Sequence, residues 1–99
     1  MEKQQVVLEA ETKVAAPCMY AVVLINDDVT TMDFVVALLM EVFKKTSIQA
    51  SVIMMHVHEK GSGVAGIYTY DIAFTKKTLA EKIARREGFP LRLEVEPVE

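Results

Sequence analysis

Residues 24–34 read LINDDVTTMDF: an apolar run ends, an amide and two carboxylates stand side by side at Asn26, Asp27 and Asp28, and a second apolar pattern begins. Upstream, Ala21, Val22, Val23, Leu24 and Ile25 are apolar without alternation. That is the composition of a strand buried on both faces or at the centre of a sheet. Downstream, Thr30 precedes Asp33 by the spacing of a capping box, which predicts a helix starting there and running to about residue 45. A turn accounts for one polar side chain at the lip of a strand; three in a row ask for a further role.

Working outward, the predicted helix carries Met32, Val35, Val36 and Leu39 on one face and Phe34, Leu38 and Val42 on another, so it needs cover on two sides. A second helix is predicted over residues 47–60, with Gly61 as its left-handed stop, followed by a strand over residues 64–70. Asp71 suits the cap of a third helix, in which Ile72, Leu79 and Ile83 recur until Gly88 and Pro90 end it. Residues 91–96 alternate apolar and charged, the pattern of a strand with one wet face. The expected fold class is therefore α+β: a three-stranded, largely antiparallel sheet packed against three helices in the order β-α-α-β-α-β. Residues 1–18 lack a strong periodicity and read as a flexible N-terminal extension; residues 19–99 form the core domain.

Composition narrows the function. A chain of 99 residues, 52% hydrophobic and 25% charged, has the balance of one small folded domain. Its 11 Lys and Arg against 14 Asp and Glu give a net charge of −3, with no basic stripe to neutralise a phosphate backbone, so nucleic acid is not an expected partner. Cys18 is the single cysteine and can form no internal disulfide, and the opening residues lack the basic start and apolar core of a signal peptide. The longest apolar runs fall well short of the roughly 20 residues that span a bilayer. A soluble protein of the reducing cytoplasm is expected.

Several chemistries compete for the polar residues. Gly61-Ser62-Gly63-Val64-Ala65-Gly66 matches the GxGxxG dinucleotide fingerprint in letters only, because a helix precedes it and a strand follows; it reads as a turn. His56 and His58 are two apart on a predicted helix and point to nearly opposite sides, so with Asp27 and Asp28 they suit no zinc spacing, and no metal or other cofactor is expected. Ser62 lacks a nucleophile elbow and Cys18 adjoins the extension, so no catalytic residue is assigned and the chain is not expected to be an enzyme. What the spacing does support is a shared face of Met54, Val57 and His58. Set against the Met32 and Val35 face of the first helix, it encloses an apolar slot with Asn26, Asp27 and His58 at its mouth. A Met stripe is as readily core, and an Asp beside a turn as readily bonds its own backbone.

The run Asn26 to Val36, then Val57-His58 and Gly61, Gly63 to Tyr68, and Pro90-Leu91, in this order, resembles the ClpS family of bacterial N-degron adaptors over almost all of residues 20–96. The resemblance implies a binding protein for substrates whose first residue is Leu, Phe, Tyr or Trp, which it delivers to the N-terminal domain of the ClpA unfoldase of the ClpAP protease. A free α-amino group is largely an ammonium at neutral pH and needs converging acceptors. By resemblance Asn26, Asp27 and His58 supply them, His58 in its neutral form. An acetylated terminus loses that charge. The matching side-chain pocket is Ile25, Thr30, Met32, Val35, Met54, Val57 and Leu91, with Met32 as a gate against β-branched Ile and Val. Burying a Leu- or Phe-sized group is worth roughly 1.5–3 kcal/mol, enough to rank it above Ala. Asp28 either holds the turn or binds an upstream amide of the substrate.

Asp71 and Lys76 match the unfoldase-binding positions. The chain departs from the family nearby: Phe74 replaces a frequent acidic residue, Thr31 a frequent proline, and Ala65 a frequent cysteine. The resemblance further implies that the N-terminal extension engages the unfoldase during hand-off, and a monomer is expected. The rival expectation is a modulator or inhibitor of ClpAP that acts through the unfoldase surface and the tail without binding N-degrons. Retention of Asn26, Asp27, Met32 and His58 together argues against an idle pocket.

Overall fold

The computed structural model describes residues 18–98, and six elements run through them: β1 (Met19–Ile25), α1 (Met32–Glu41), α2 (Ser47–Lys60), β2 (Ser62–Thr69), α3 (Tyr70–Arg86) and β3 (Arg92–Pro97). This is the expected β-α-α-β-α-β order. The expected extension lies outside the described residues apart from Cys18, which is exposed.

β1 lacks alternation because it is the central strand. The sheet order is β2-β1-β3, with both pairings antiparallel, Val22 facing Gly66 on one side and Val95 on the other. Ala21 to Leu24 are all buried, and Val22 and Leu24 enter the main core cluster. A register shift between Val22 and Val23 leaves Ala65 as the extra residue of a bulge in β2. The core that the sheet shares with the helices joins Val35, Leu38, Leu39 and Val42 to Ala50, Met54 and Val57, and to the small residues Ala73, Ala80 and Ala84 of α3. Those alanines let the long helix lie close to the sheet, where bulkier side chains could not.

Helix ends differ from the expectation in three places, each for a local reason. The N-cap of α1 is Thr31, whose hydroxyl accepts the Phe34 N–H at 3.2 Å, rather than Thr30; the Thr30 hydroxyl instead donates to Asp27 at 2.8 Å, so the expected box with Asp33 does not form. Thr31 thus supplies the cap directly before Met32, the first helical residue. α1 ends at Glu41 rather than near residue 45, because Lys44 takes up a left-handed φ of 59° and the Lys45 N–H turns back to the Leu39 carbonyl at 3.1 Å. Thr69, not Asp71, holds the N-cap position of α3, without a side-chain hydrogen bond, and Asp71 lies in the first turn. β2 accordingly spans Ser62–Thr69 instead of residues 64–70.

The start of α2 is a full capping box, the Thr46 hydroxyl accepting the Gln49 N–H at 3.1 Å and the Gln49 side chain accepting the Thr46 N–H at 3.0 Å. The glycine string is not one turn. Gly61 is the left-handed stop of α2 at φ 93°, whereas Gly63 and Gly66 are paired within β2. A Cβ on Gly63 would stand 2.8 Å from Val57 Cγ2 and 3.1 Å from His56 Cδ2, so the bare backbone there lets β2 pass directly beneath α2.

Candidate functional site

The loop of residues 26–31 is built largely by one carboxylate. Asp27 Oδ1 accepts the Val29 N–H at 2.8 Å and the Thr30 N–H at 2.7 Å, and Oδ2 accepts the Thr30 hydroxyl at 2.8 Å. Three of the roughly four lone-pair directions of the carboxylate are thereby used inside the loop. The turn-holding role left open for Asp28 thus falls to Asp27; Asp28 is exposed and makes none of the side-chain hydrogen bonds of the loop. Partial burial pushes the Asp27 carboxyl up. The Thr30 N–H, the Thr30 hydroxyl, the Val29 N–H and the nearby Arg85 charge together outweigh this and hold it below the usual carboxylate value.

The loop is fastened at its other end. The Asn26 N–H donates to the Gly61 carbonyl at 2.9 Å, and the Gly61 N–H closes the last turn of α2 on the Val57 carbonyl at 2.8 Å. This brings the half-buried Asn26 to the same rim as the last turn of α2, where His58 is exposed. No described hydrogen bond joins Asn26, Asp27 and His58 side chain to side chain, so His58 and the Asn26 amide keep their polar atoms for other partners.

Below this rim, Val35, Met54, Val57 and Leu91 belong to one continuous buried cluster. Ile25 and Thr30 are half-buried, and Met32, the first residue of α1, is 39% exposed. The expected apolar slot is therefore seen as a packed floor with an exposed methionine beside it. The two described grooves lie elsewhere: one of about 310 Å³ on α3, lined by Phe74, Thr75, Thr78, Leu79 and Lys82, and one on the outer side of α2.

Two residues that the sequence did not single out hold Leu91 and the start of β3. Arg85 Nη1 donates to the Leu91 carbonyl at 2.6 Å and the Phe89 carbonyl at 3.1 Å, and its charge reaches Asp27. Glu81 accepts the Leu93 N–H at 2.9 Å while pairing with Lys77 at 3.0 Å. The signal for Arg85 was a cation in the last turn of a helix ended by glycine and proline, where free carbonyls collect. Phe89 in turn packs on Phe34, with ring centroids 4.9 Å apart.

On the far side, Asp71 is exposed, but the Lys76 ammonium is occupied. It donates to the Val42 carbonyl at the end of α1, at 2.7 Å, and lies 5.4 Å from the centre of the Tyr68 ring. Burial raises the Tyr68 phenol above its ordinary value. Phe74 is half-exposed and stacks on Tyr70 at 6.0 Å, making an apolar surface beside Asp71. Among the described residues, no group of three or more His, Cys, Asp or Glu is placed to hold a metal ion, and no helix is long and apolar enough to cross a membrane.

Comparison with known proteins places this architecture. Residues 15–94 match the family model for the ATP-dependent Clp protease adaptor protein ClpS, which defines the class as an adaptor of an energy-dependent protease. The chain is 52% identical to the ATP-dependent Clp protease adapter protein ClpS of Acetivibrio thermocellus, over 97% of each chain. It is 50% identical to that of Syntrophus aciditrophicus, over 96% of this chain and 89% of the relative. The structure of Agrobacterium tumefaciens ClpS2 bound to L-phenylalaninamide superposes with a TM-score of 0.81 at 37% identity, covering 84% of this chain and all of that one. The chain belongs to the ClpS family.

Proposed function

We propose that this adaptor binds proteins through a free N-terminal Leu, Phe, Tyr or Trp and delivers them to the N-terminal domain of ClpA for degradation by ClpAP. The observation that carries the reading is the Asn26–Gly61 bond, which sets the polar loop and the His58 turn on one rim above the Val35, Met54, Val57 and Leu91 cluster. An N-terminal residue offers the matching chemistry: three ammonium donors next to one side chain. L-Phenylalaninamide, bound by the Agrobacterium relative, carries the same two groups.

Asn26 and His58 act as the principal acceptors for the ammonium. Asp27 adds its negative charge and the one free lone-pair direction of its carboxylate, while its other contacts hold the loop in shape. Met32, flexible and exposed, turns aside to admit the side chain onto Val35, Met54, Val57 and Leu91, with Ile25 and Thr30 at the edge. Crowding by Met32 near the substrate backbone disfavours Ile and Val. Asp71 and the Phe74 surface meet the unfoldase, and Lys76 joins that contact only by releasing the Val42 carbonyl.

The test is fluorescence anisotropy with peptides identical except for a first residue of Leu, Phe, Ile, Ala or acetylated Phe. Binding of free Leu and Phe at least about tenfold tighter than the other three, a difference of roughly 1.4 kcal/mol, is expected. Equal binding of acetylated and free Phe would remove the ammonium site, and uniformly weak binding would move the function to α3.

A further inference from the structure

Of the buried residues under the polar rim, Val35 is placed by α1, and Met54 and Val57 by α2. Leu91 is the exception. It is only 2% exposed, yet it stands in the connection after α3, one residue before β3 begins at Arg92 and pairs with Ile25. A side chain on a connection is only as fixed as the backbone beneath it. The N–H groups of that backbone go to the end of α3: Gly88, left-handed at φ 84°, donates to the Arg85 carbonyl at 3.0 Å, and Phe89 to the Ala84 carbonyl at 2.9 Å. Its carbonyls go to one side chain. Arg85 Nη1 donates to Phe89 at 3.1 Å and to Leu91 at 2.6 Å, bridging Pro90, which has no N–H of its own to anchor. Phe89, held by the same group, packs on Phe34 of α1, the neighbour of Val35.

We infer, on the reading that this pocket takes an N-terminal side chain, that Arg85 is a positioning residue: it fixes from behind the connection that aims Leu91 into the floor, and so sets how strongly a large first side chain is preferred over a small one. Position and charge act here in opposite directions. The Arg85 charge reaches Asp27 and offsets part of the negative charge that draws an ammonium, an effect that solvent weakens because Arg85 is exposed. Removing the charge alone would tighten binding of a free N-terminus, whereas freeing the connection loosens it. Lysine separates the two, since it keeps the charge and lacks the planar fork.

The test is fluorescence anisotropy on the full chain with peptides beginning with free Phe or free Ala. Arg85→Gln and Arg85→Lys, their folding checked by circular dichroism, should each weaken the Phe peptide by about 3- to 10-fold and the Ala peptide, which does not reach the floor, by less than about 2-fold. In the unliganded protein the Leu91 methyl NMR signals should shift and broaden in both variants, while those of Val22, in the same core but on β1, hold. Unchanged or tighter Phe binding in Arg85→Gln would overturn the inference. So would wild-type affinity in Arg85→Lys, an equal loss for the Phe and Ala peptides, or unmoved Leu91 methyls. Failure of the wild type itself to bind the Phe peptide would remove the pocket, and the role of Arg85 with it; the wild-type measurement tells that failure from the others.

Discussion

Replacing Asp27 with alanine removes three acceptors at once: those of the Val29 N–H, the Thr30 N–H and the Thr30 hydroxyl. The Val29 donor is exposed and can turn to water, whereas the two Thr30 bonds are partly buried. Two partly buried bonds to a charged acceptor, discounted for nearby solvent, amount to about 1–2 kcal/mol, similar to the loss of a good helix cap. For a domain of this size that lowers Tm by roughly 5–12 °C. Asp27→Asn separates this structural share from the charge. Its amide oxygen still accepts both backbone donors, so it should lose less than about 1 kcal/mol.

The pH dependence follows from the lowered carboxyl. Its folded value lies below the unfolded one, near 3.9, so the stabilisation is fully present above about pH 5 and fades as pH falls through the folded value. Urea denaturation of the wild type and Asp27→Ala, at pH 6 and again below about pH 3, should show the stability difference narrowing in acid. An unchanged difference would refute the view that the ionised carboxylate holds the loop.

Three further outcomes are expected. Arg85→Gln should lose about 1–2 kcal/mol from the Leu91 and Phe89 carbonyl bonds and raise the Asp27 carboxyl pKa, readable by carbon-13 NMR titration; an unmoved Asp27 titration would show that the Arg85 charge does not reach it. Gly63→Ala should destabilise by about 1–3 kcal/mol in thermal melts, since its Cβ would press on Val57; a neutral result would mean that α2 lifts freely from β2. Met32→Ala should raise the affinity for peptides beginning with Ile or Val relative to Leu by about tenfold, and an unaltered ratio would remove Met32 as the gate.

The order of elements was legible because each carries a different period. The unbroken run at Ala21–Ile25 pointed to a strand buried on both faces or at the centre of the sheet, and the alternation after Pro90 to a strand with one wet face. The boundaries were less so, because adjacent threonines compete for one role: Thr30 and Thr31 both suit a cap, and only the Asp27 carboxylate, by engaging Thr30, assigns the cap to Thr31. α1 ended early at a left-handed lysine, a conformation no sequence rule flags. In the candidate site, Val35, Met54, Val57 and Leu91, expected together, do fall in one buried cluster. The division of labour between Asp27 and Asp28 could not be read in advance, since it depends on which carboxylate the loop geometry turns inward. Nor could the commitment of Lys76 to Val42, a contact 34 residues apart in the chain; the Arg85 bonds, by contrast, reach only four and six residues ahead, to Phe89 and Leu91.

The central place of β1 bears on how the chain folds. The first of the described strands can complete neither of its ladders until much later in synthesis: Met19 pairs with Thr69, and Tyr20 with Pro97, the latter nearly the full described length away. Its two helical neighbours in sequence can form locally, but the loop entropy of joining the chain ends must be met before the sheet closes. Until residue 97 is free to dock, β1 is an apolar segment with both edges open, the kind of strand that invites mispairing. Shortening the C-terminus by the length of β3 should therefore do harm beyond the loss of its own contacts, because it leaves the buried, apolar β1 as an edge of the described sheet.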